Sequence, residues 1–228
     1  MPIKTIVPNV YVVCDHDLTH IYDSAAYLVI TEESKYLLID SGSGYGFINM
    51  VNNILEISVK PNKITYVILT HCHISNSGGS KLLRDYFRIP VAAHEEDAMR
   101  LMKADKACID IEGVREFTAI PVTLVIRDVE YVFNEVSPKV KVIHTPGHTP
   151  GSLSVIIELK GLKAGFVGDL LGPLSKSWNS DEAQWRESLS KVLNESLDIL
   201  CTSGGCVVGS SNVNTLLRKV ISSKPIWI

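Results

Sequence analysis

Residues 67–79 read Val-Ile-Leu-Thr-His-Cys-His-Ile-Ser-Asn-Ser-Gly-Gly, and this stretch constrains the fold more than any other. Its apolar part is far shorter than the ~20 residues that span a bilayer. It therefore reads as a buried strand. The Ser, Asn and Gly that close it mark a turn and a helix start. On an extended backbone alternate side chains share a face, so His71 and His73 point the same way and Cys72 points away. Two imidazoles converging at a strand's end begin a transition-metal site.

The rest of the chain supplies elements around that strand. Residues 5–14, rich in Val and Ile, read as a first strand. Residues 25–31 and 35–40 read as a hairpin across Glu32, Glu33 and Ser34. Residues 46–58 read as a helix with Ile48, Val51, Ile54 and Leu55 on one face. Residues 80–87 continue the histidine stretch as a helix. Residues 91–94 read as a short strand, and 95–104 as a helix with acidic residues in its first turn, where they suit the helix dipole. Residues 106–121 carry no periodic signal. Residues 122–133, 140–145, 152–159, 164–167 and 199–202 read as strands. Residues 181–197 read as a helix striped by Trp185, Leu189, Val192 and Leu193, and 212–222 as one built on Val213, Leu216, Leu217 and Val220. Strands and helices followed by strands and helices again fit two sheets faced by helices, an α/β four-layer αββα sandwich. At 228 residues one sizeable core is expected, with residues 1–228 as a single domain.

Composition narrows the function classes. Hydrophobic residues make up 46% of the chain and charged ones 21%, as in an ordinary globule, and the formal net charge is −3. Without a basic block to track phosphates, nucleic acid is not expected as a partner. No apolar run is long enough to cross a bilayer, so no membrane partner is expected. Five cysteines, Cys14, Cys72, Cys108, Cys201 and Cys206, form an odd and dispersed set that points to reduced thiols inside a cell. The first residues lack the basic and apolar regions of a secretion signal. The expectation is a soluble, cytoplasmic protein.

The histidine stretch resembles the metallo-β-lactamase superfamily of metallohydrolases, whose signature is His-x-His-x-Asp-His followed closely by Gly-Gly. The resemblance includes Thr70 and breaks at Ser75 and Asn76, where the family carries Asp and His. Three more stretches resemble family motifs in the right order. In Tyr36-Leu37-Leu38-Ile39-Asp40-Ser41-Gly42, Asp40 is implied to hold the metal loop by hydrogen bonds without touching metal; read alone, it is an Asp that starts a turn. In His144-Thr145-Pro146-Gly147-His148-Thr149-Pro150-Gly151-Ser152, His148 is implied as the next ligand and His144 as a strand or supporting residue. In Ala164-Gly165-Phe166-Val167-Gly168-Asp169, Asp169 is implied as a carboxylate that bridges two metals. The fifth motif puts a histidine between glycines. Here Thr202-Ser203-Gly204-Gly205-Cys206 stands there, with Gly205 at the histidine's place. Cys206 beside it either offers a thiolate or is a buried Cys in a plain turn.

The resemblance implies a first metal position made by His71, His73 and His148. Three neutral imidazoles and an open place suit catalytic zinc, with iron or manganese as alternatives. Asp169 is implied as a fourth ligand or as the general base, which makes it the candidate catalytic residue. The second position keeps only Asp169, so one ion per chain is expected. Ser75 and Asn76 also read as plain helix N-caps. His16 and His20 read as surface-loop residues and His94 as structural. Trp178 is a candidate for lining a pocket and Trp185 for the core. The implied function is hydrolysis of an ester, thioester, amide or lactone, with a small-molecule substrate and a homo-oligomer left open. The alternative is a degenerate, non-catalytic metal-binding or regulatory member of the same fold. A third reading is an iron site handling oxygen or redox chemistry. The pocket is expected from loops at residues 15–22, 106–121 and 171–180.

Overall fold

The computed structural model describes residues 3–31, 34–134, 136 and 140–228. Its first sheet runs in sequence order: β1 (Lys4–Val7), β2 (Val10–Cys14), β3 (Ala26–Ile30), β4 (Tyr36–Ile39), β5 (Ile64–Ile68), β6 (Val91–His94) and β7 (Leu124–Ile126). The second contains β8 (Glu130–Phe133), β9 (Val140–His144), β10 (Leu153–Leu159), β11 (Leu162–Phe166), β12 (Ile199–Thr202) and β13 (Gly205–Val208), in the order β13-β12-β11-β10-β9-β8. The helices are α1 (Phe47–Glu56), α2 (Ile74–Ser77), α3 (Gly79–Phe87), α4 (Glu95–Lys103), α5 (Glu182–Asn194) and α6 (Ser210–Ser222).

The apolar pattern explains the layering. Central strands are apolar on both faces because both faces are covered. In β3 and β4, Leu28 and Leu38 pack with Met50, Ile54, Leu83 and Leu101 of the first helices. Their neighbours Tyr27, Val29, Leu37 and Ile39 pack between the sheets against Val155, Ile157 and Phe166. On the far side, Ile143, Ile156 and Leu200 meet Trp185, Leu189, Val192, Val213 and Leu217 of α5 and α6. The molecule is thus a four-layer αββα sandwich. Burying each such side chain contributes about 1.5–3 kcal/mol, so these three apolar layers, not individual polar contacts, hold the sheets and helices together.

Several elements depart from the expectation. The strand expected at 5–14 is a hairpin, because Pro8 has no N–H to donate and Asn9 takes φ 74. The strand expected at 122–133 is two strands: β7 pairs with β6 in the first sheet and β8 with β9 in the second. The polar pair Arg127-Asp128 crosses between them. Helix α1 buries Phe47, Met50 and Ile54 and exposes Ile48 and Leu55, so its buried face is rotated from the one expected. Of the turn expected at 32–34, Glu32 and Glu33 lie outside the described residues. Reduced thiols fail at one pair: β12 and β13 set Cys201 opposite Cys206, and the two form a disulfide with a Cα–Cα distance of 4.1 Å. Cys14, Cys72 and Cys108 are free and buried.

The topology gathers one edge. Strands β4, β5 and β6 are parallel, so their C-terminal ends lie side by side and bring Asp40 next to the residues after β5. Parallel β11 and β12 do the same for Asp169 and Ser203. Ligand sites in parallel sheets form outside such carboxyl ends. Gly78 and Gly79 let the Ser41–Ser43 turn approach this edge. A Cβ on either would stand 2.1 or 2.2 Å from the carbonyl oxygen of Ser43 or Ser41.

Candidate metal centre

His71 and His73 follow β5, His148 lies in the turn between β9 and β10, and Asp169 follows β11. The structure brings all four together: one ligand atom from each lies within 4.8 Å of every other. His148 Nε2 is 2.9 Å from His73 Nδ1. Asp169 Oδ2 is 3.5 Å from the Nε2 atoms of both His71 and His148. Two metal–ligand bonds of about 2.05 Å at a tetrahedral angle hold their ligand atoms about 3.3 Å apart. These three contacts lie close to that spacing.

Hydrogen bonds fix which nitrogens face inward. Thr70 donates its hydroxyl hydrogen to Asp40 Oδ2 at 2.8 Å. Its oxygen, 3.0 Å from His71 Nδ1, can then only accept, so in the neutral ring Nδ1 carries the hydrogen and Nε2 the lone pair. The Pro173 carbonyl accepts from His148 Nδ1 at 2.7 Å, with the same result. His71 Nε2 is buried without a hydrogen-bond partner in the protein, and His73 turns Nδ1 toward His148 Nε2. A buried nitrogen left unpaired costs ~1–3 kcal/mol; lone pairs converging on one point are what a divalent ion would satisfy.

Charge follows the same geometry. Burial alone would lower His71, but Asp169, then Asp40 and Asp97, outweigh it and raise it to about 9. At 3.5 Å this attraction is between charges and is too long for a good hydrogen bond. Burial alone would raise Asp169, yet His71, His148 and the Ser203 hydroxyl bring it down to about 2. Burial and then the neighbouring His71 lower His148 to about 4. Burial, His148 and His71 hold His73 well below the usual histidine range.

The supporting residues divide into those the sequence signalled and those it did not. Asp40 does not touch the cluster. It accepts from the Thr70 N–H and hydroxyl and from Asn76 Nδ2, as expected of a residue that holds the loop. Burial raises its carboxyl against these bonds and His71. Ser75 and Asn76 are not caps: the N-cap of α2 is His73, and both lie inside that helix. Asn76 Nδ2 also donates to Ser203 Oγ at 2.9 Å. Ser203, not Gly205, is therefore the residue after β12 that reaches the site. Cys206 is bonded to Cys201 and offers no thiolate.

Two aspartates carried no signal. Asp97, fully buried on α4, accepts from the Cys72 N–H, the Thr149 hydroxyl and the Gly151 N–H, and so clamps the two histidine-bearing loops to each other. It looked like one of three acidic residues suited to a helix start. Asp110 lies in the stretch without periodicity. It accepts from the Ser75 N–H at 3.1 Å and from the Ser75 hydroxyl, and burial raises its carboxyl against those bonds. His144 is not among the converging residues, and its Nε2–H donates to a backbone carbonyl. It bonds the Pro150 carbonyl and stacks on His94, the cap of α4, with ring centroids 3.7 Å apart. His16 and His20 stay in the 14–24 loop.

A cavity of about 430 Å³ opens over the cluster. All three expected loops line it, through Tyr22, Asp110 and Trp178 among others. The Trp178 ring stands 4.4 Å from that of His73.

Comparison with known proteins agrees with this geometry. A family model described as the metallo-beta-lactamase superfamily matches residues 21–204. The chain belongs to the metallo-β-lactamase superfamily. It is 27% identical over 137 residues to "Probable metallo-hydrolase" of Methanocaldococcus jannaschii, covering 60% of this chain and 64% of that protein. It is 31% identical over 109 residues to an N-acyl homoserine lactonase of a Bacillus species, covering 48% of this chain and 39% of that one. The chain thus spans less than two thirds of the length of these relatives. A mutant metallo-β-lactamase from Cronobacter sakazakii superposes with TM-score 0.79 at 16% identity, covering 96% of this chain and 94% of that one, and so shares the fold. Among the described residues, no helix is long and apolar enough to cross a membrane.

Proposed function

We propose that this superfamily member is a hydrolase using one zinc ion per chain, held by His71, His73, His148 and Asp169, that cleaves an ester, thioester, amide or lactone. The observation that carries the reading is the convergence of three imidazole nitrogens and one carboxylate oxygen beside a cavity that His73 and Asp169 line. Neutral nitrogens and a carboxylate suit zinc and also admit iron or manganese. When bound, such an ion would supply Lewis acidity, polarising a carbonyl and making water more acidic.

The residues of the chain do the rest. His71 and His148 are oriented by Thr70 and Pro173, and Asp97 keeps their loops in register. Trp178 covers the His73 ring and keeps water from that side. At the second position of the family pattern, the polar capacity of Ser75 and Asn76 is taken by Asp110, Asp40 and Ser203. That supports one ion per chain. The cavity wall includes Asp110, Glu112 and Asp169 and, among the described residues, no Lys or Arg. Like charge would repel an anionic substrate there. Ile21, Ile111 and Ile228 give it an apolar side suited to a short acyl chain. A neutral ester or lactone fits best, in keeping with lactonases among the relatives.

Elemental analysis of purified protein, paired with ester turnover, tests the reading. Close to one ion per chain is expected, lost in His71→Ala or His148→Ala. Turnover should follow bound metal and fall at least about tenfold in Asp169→Asn. Two tightly held ions, or turnover that survives chelation, would overturn it. Full metal without turnover would favour the non-catalytic reading.

A further inference from the structure

Where the family signature carries a carboxylate, this chain has Ser75, and the fold delivers a carboxylate to the same place from elsewhere. Asp110 lies 35 residues further along, between α4 and β7. Both of its oxygens are anchored by one residue: Oδ1 accepts the Ser75 N–H at 3.1 Å, and Oδ2 accepts the Ser75 hydroxyl. Ser75 is itself steadied by the Ser24 hydroxyl, which donates to its oxygen at 3.0 Å. Asp110 faces the same cavity as His73, Asp169 and Trp178. It is not one of the four converging ligands. It makes no salt bridge among the described residues. Burial and the nearby Asp169 work against this carboxylate, with the Ser75 bonds and the charge of His71 on the other side, and groups held in such a balance in a cleft are candidates for chemistry.

We propose that Asp110, anchored by Ser75 at the cavity wall, is the carboxylate that carries a proton from the attacking water to the leaving oxygen. The proposal rests on the hydrolase reading above. As the water oxygen forms its bond to the acyl carbon, one of its protons passes to an Asp110 oxygen. As the bond from acyl carbon to leaving oxygen breaks, its electron pair stays on that oxygen, which takes the proton from Asp110. Ester and water become acid and alcohol, and Asp110 ends as the carboxylate it began as. Asp169 is not free for this role, because its Oδ2 belongs to the ligand set. Ser75, which the sequence presented as a loss, becomes the positioning residue of the group that replaces it.

The test compares zinc-loaded parent and Asp110→Asn on two esters of one acyl chain, nitrophenyl butanoate and ethyl butanoate. Nitrophenolate leaves without a proton and ethoxide does not. Asn keeps the shape and an acceptor for the Ser75 N–H, so metal content and melting temperature should be unchanged. kcat on the ethyl ester should fall about 100-fold or more, and the loss should exceed that on the nitrophenyl ester by at least about tenfold. A merely structural role would lower both equally, so equal losses, or none, in a parent that turns over overturn the assignment and leave the hydrolase reading standing. A metal-loaded parent that cleaves neither ester overturns the hydrolase reading and this assignment with it. If Asp110→Asn does not fold, Ser75→Ala replaces it. Loosening the carboxylate should then give the same preference for losing the ethyl ester, in smaller degree, and its absence overturns the assignment.

Discussion

Because Thr70 spends its hydroxyl hydrogen on Asp40, His71 must present Nε2 to the cluster, and because Pro173 offers only a carbonyl, His148 must do the same. These two partners preset the lone pairs, so little reorganisation opposes metal binding. The remaining competitor is a proton. With His71 raised to about 9, His148 lowered to about 4 and His73 lower than usual, His71 alone of the three is protonated between those values. Ligation needs the neutral imidazole, so an ion must displace that proton. Binding at about pH 6 is therefore expected to release close to one proton per ion. Affinity should rise with pH until His71 is neutral and fall about tenfold for each unit below about 9, then more steeply below about 4. Calorimetry in buffers of different ionisation enthalpy counts the protons. Release of about two or more, as from three ordinary histidines of pKa about 6.5 at that pH, would show that Asp169 does not bias the cluster as described.

At the scale of elements, what the sequence revealed is what its motifs kept local. The strand-turn around His71 and His73 and the turn around His148 each carry their proposed ligand within one short run, and the structure brings these side chains together. Asp97 and Asp110 were illegible because their partners are far along the chain: Asp97 reaches Thr149 and Gly151, and Asp110 reaches Ser75. The crossing at Arg127-Asp128 was hidden by apolar residues on both sides. The hairpin of β12 and β13 hid the residue that reaches the cluster because glycines were aligned to a motif, whereas Ser203 bonds Asn76 there. A restoration experiment separates the two positions. Gly205 has φ +131 and nothing within 4 Å of a Cβ placed on it, so a histidine there is strained and faces no partner. Ser75→Asp also costs more than a helix cap would suggest, since it sets a carboxylate against Asp110 in place of a donor. Joined to Ser75→Asp and Asn76→His, Ser203→His is expected to raise metal content above one ion per chain, and Gly205→His is not. Equal metal content in the two triple variants, read by elemental analysis, would show that the hairpin does not aim Ser203 at the site.

At the scale of the molecule, the four proposed ligands join two sheets. His71 and His73 leave the end of β5 in the first sheet; His148 and Asp169 leave β9 and β11 in the second. The sheets meet through an apolar layer and through few polar links near this edge, among them the Leu153 N–H donating to the Thr70 carbonyl at 2.7 Å. An ion held by all four groups would close that edge and would relieve the buried, unpaired Nε2 of His71. The unfolded chain cannot present these groups together, so binding stabilises the folded state by mass action, about 2.7 kcal/mol at a free metal concentration 100 times Kd. For a chain of this size that corresponds to a rise in melting temperature of about 5–10 °C. Calorimetric melting with zinc and with chelator should show this shift in the parent. In His148→Ala it should vanish, because the first sheet's pair of histidines would then hold the ion with one carboxylate alone from the second. A shift of the same size in His148→Ala would mean that the stabilising ion sits outside this cluster, and the bridge between the sheets would have to be sought elsewhere.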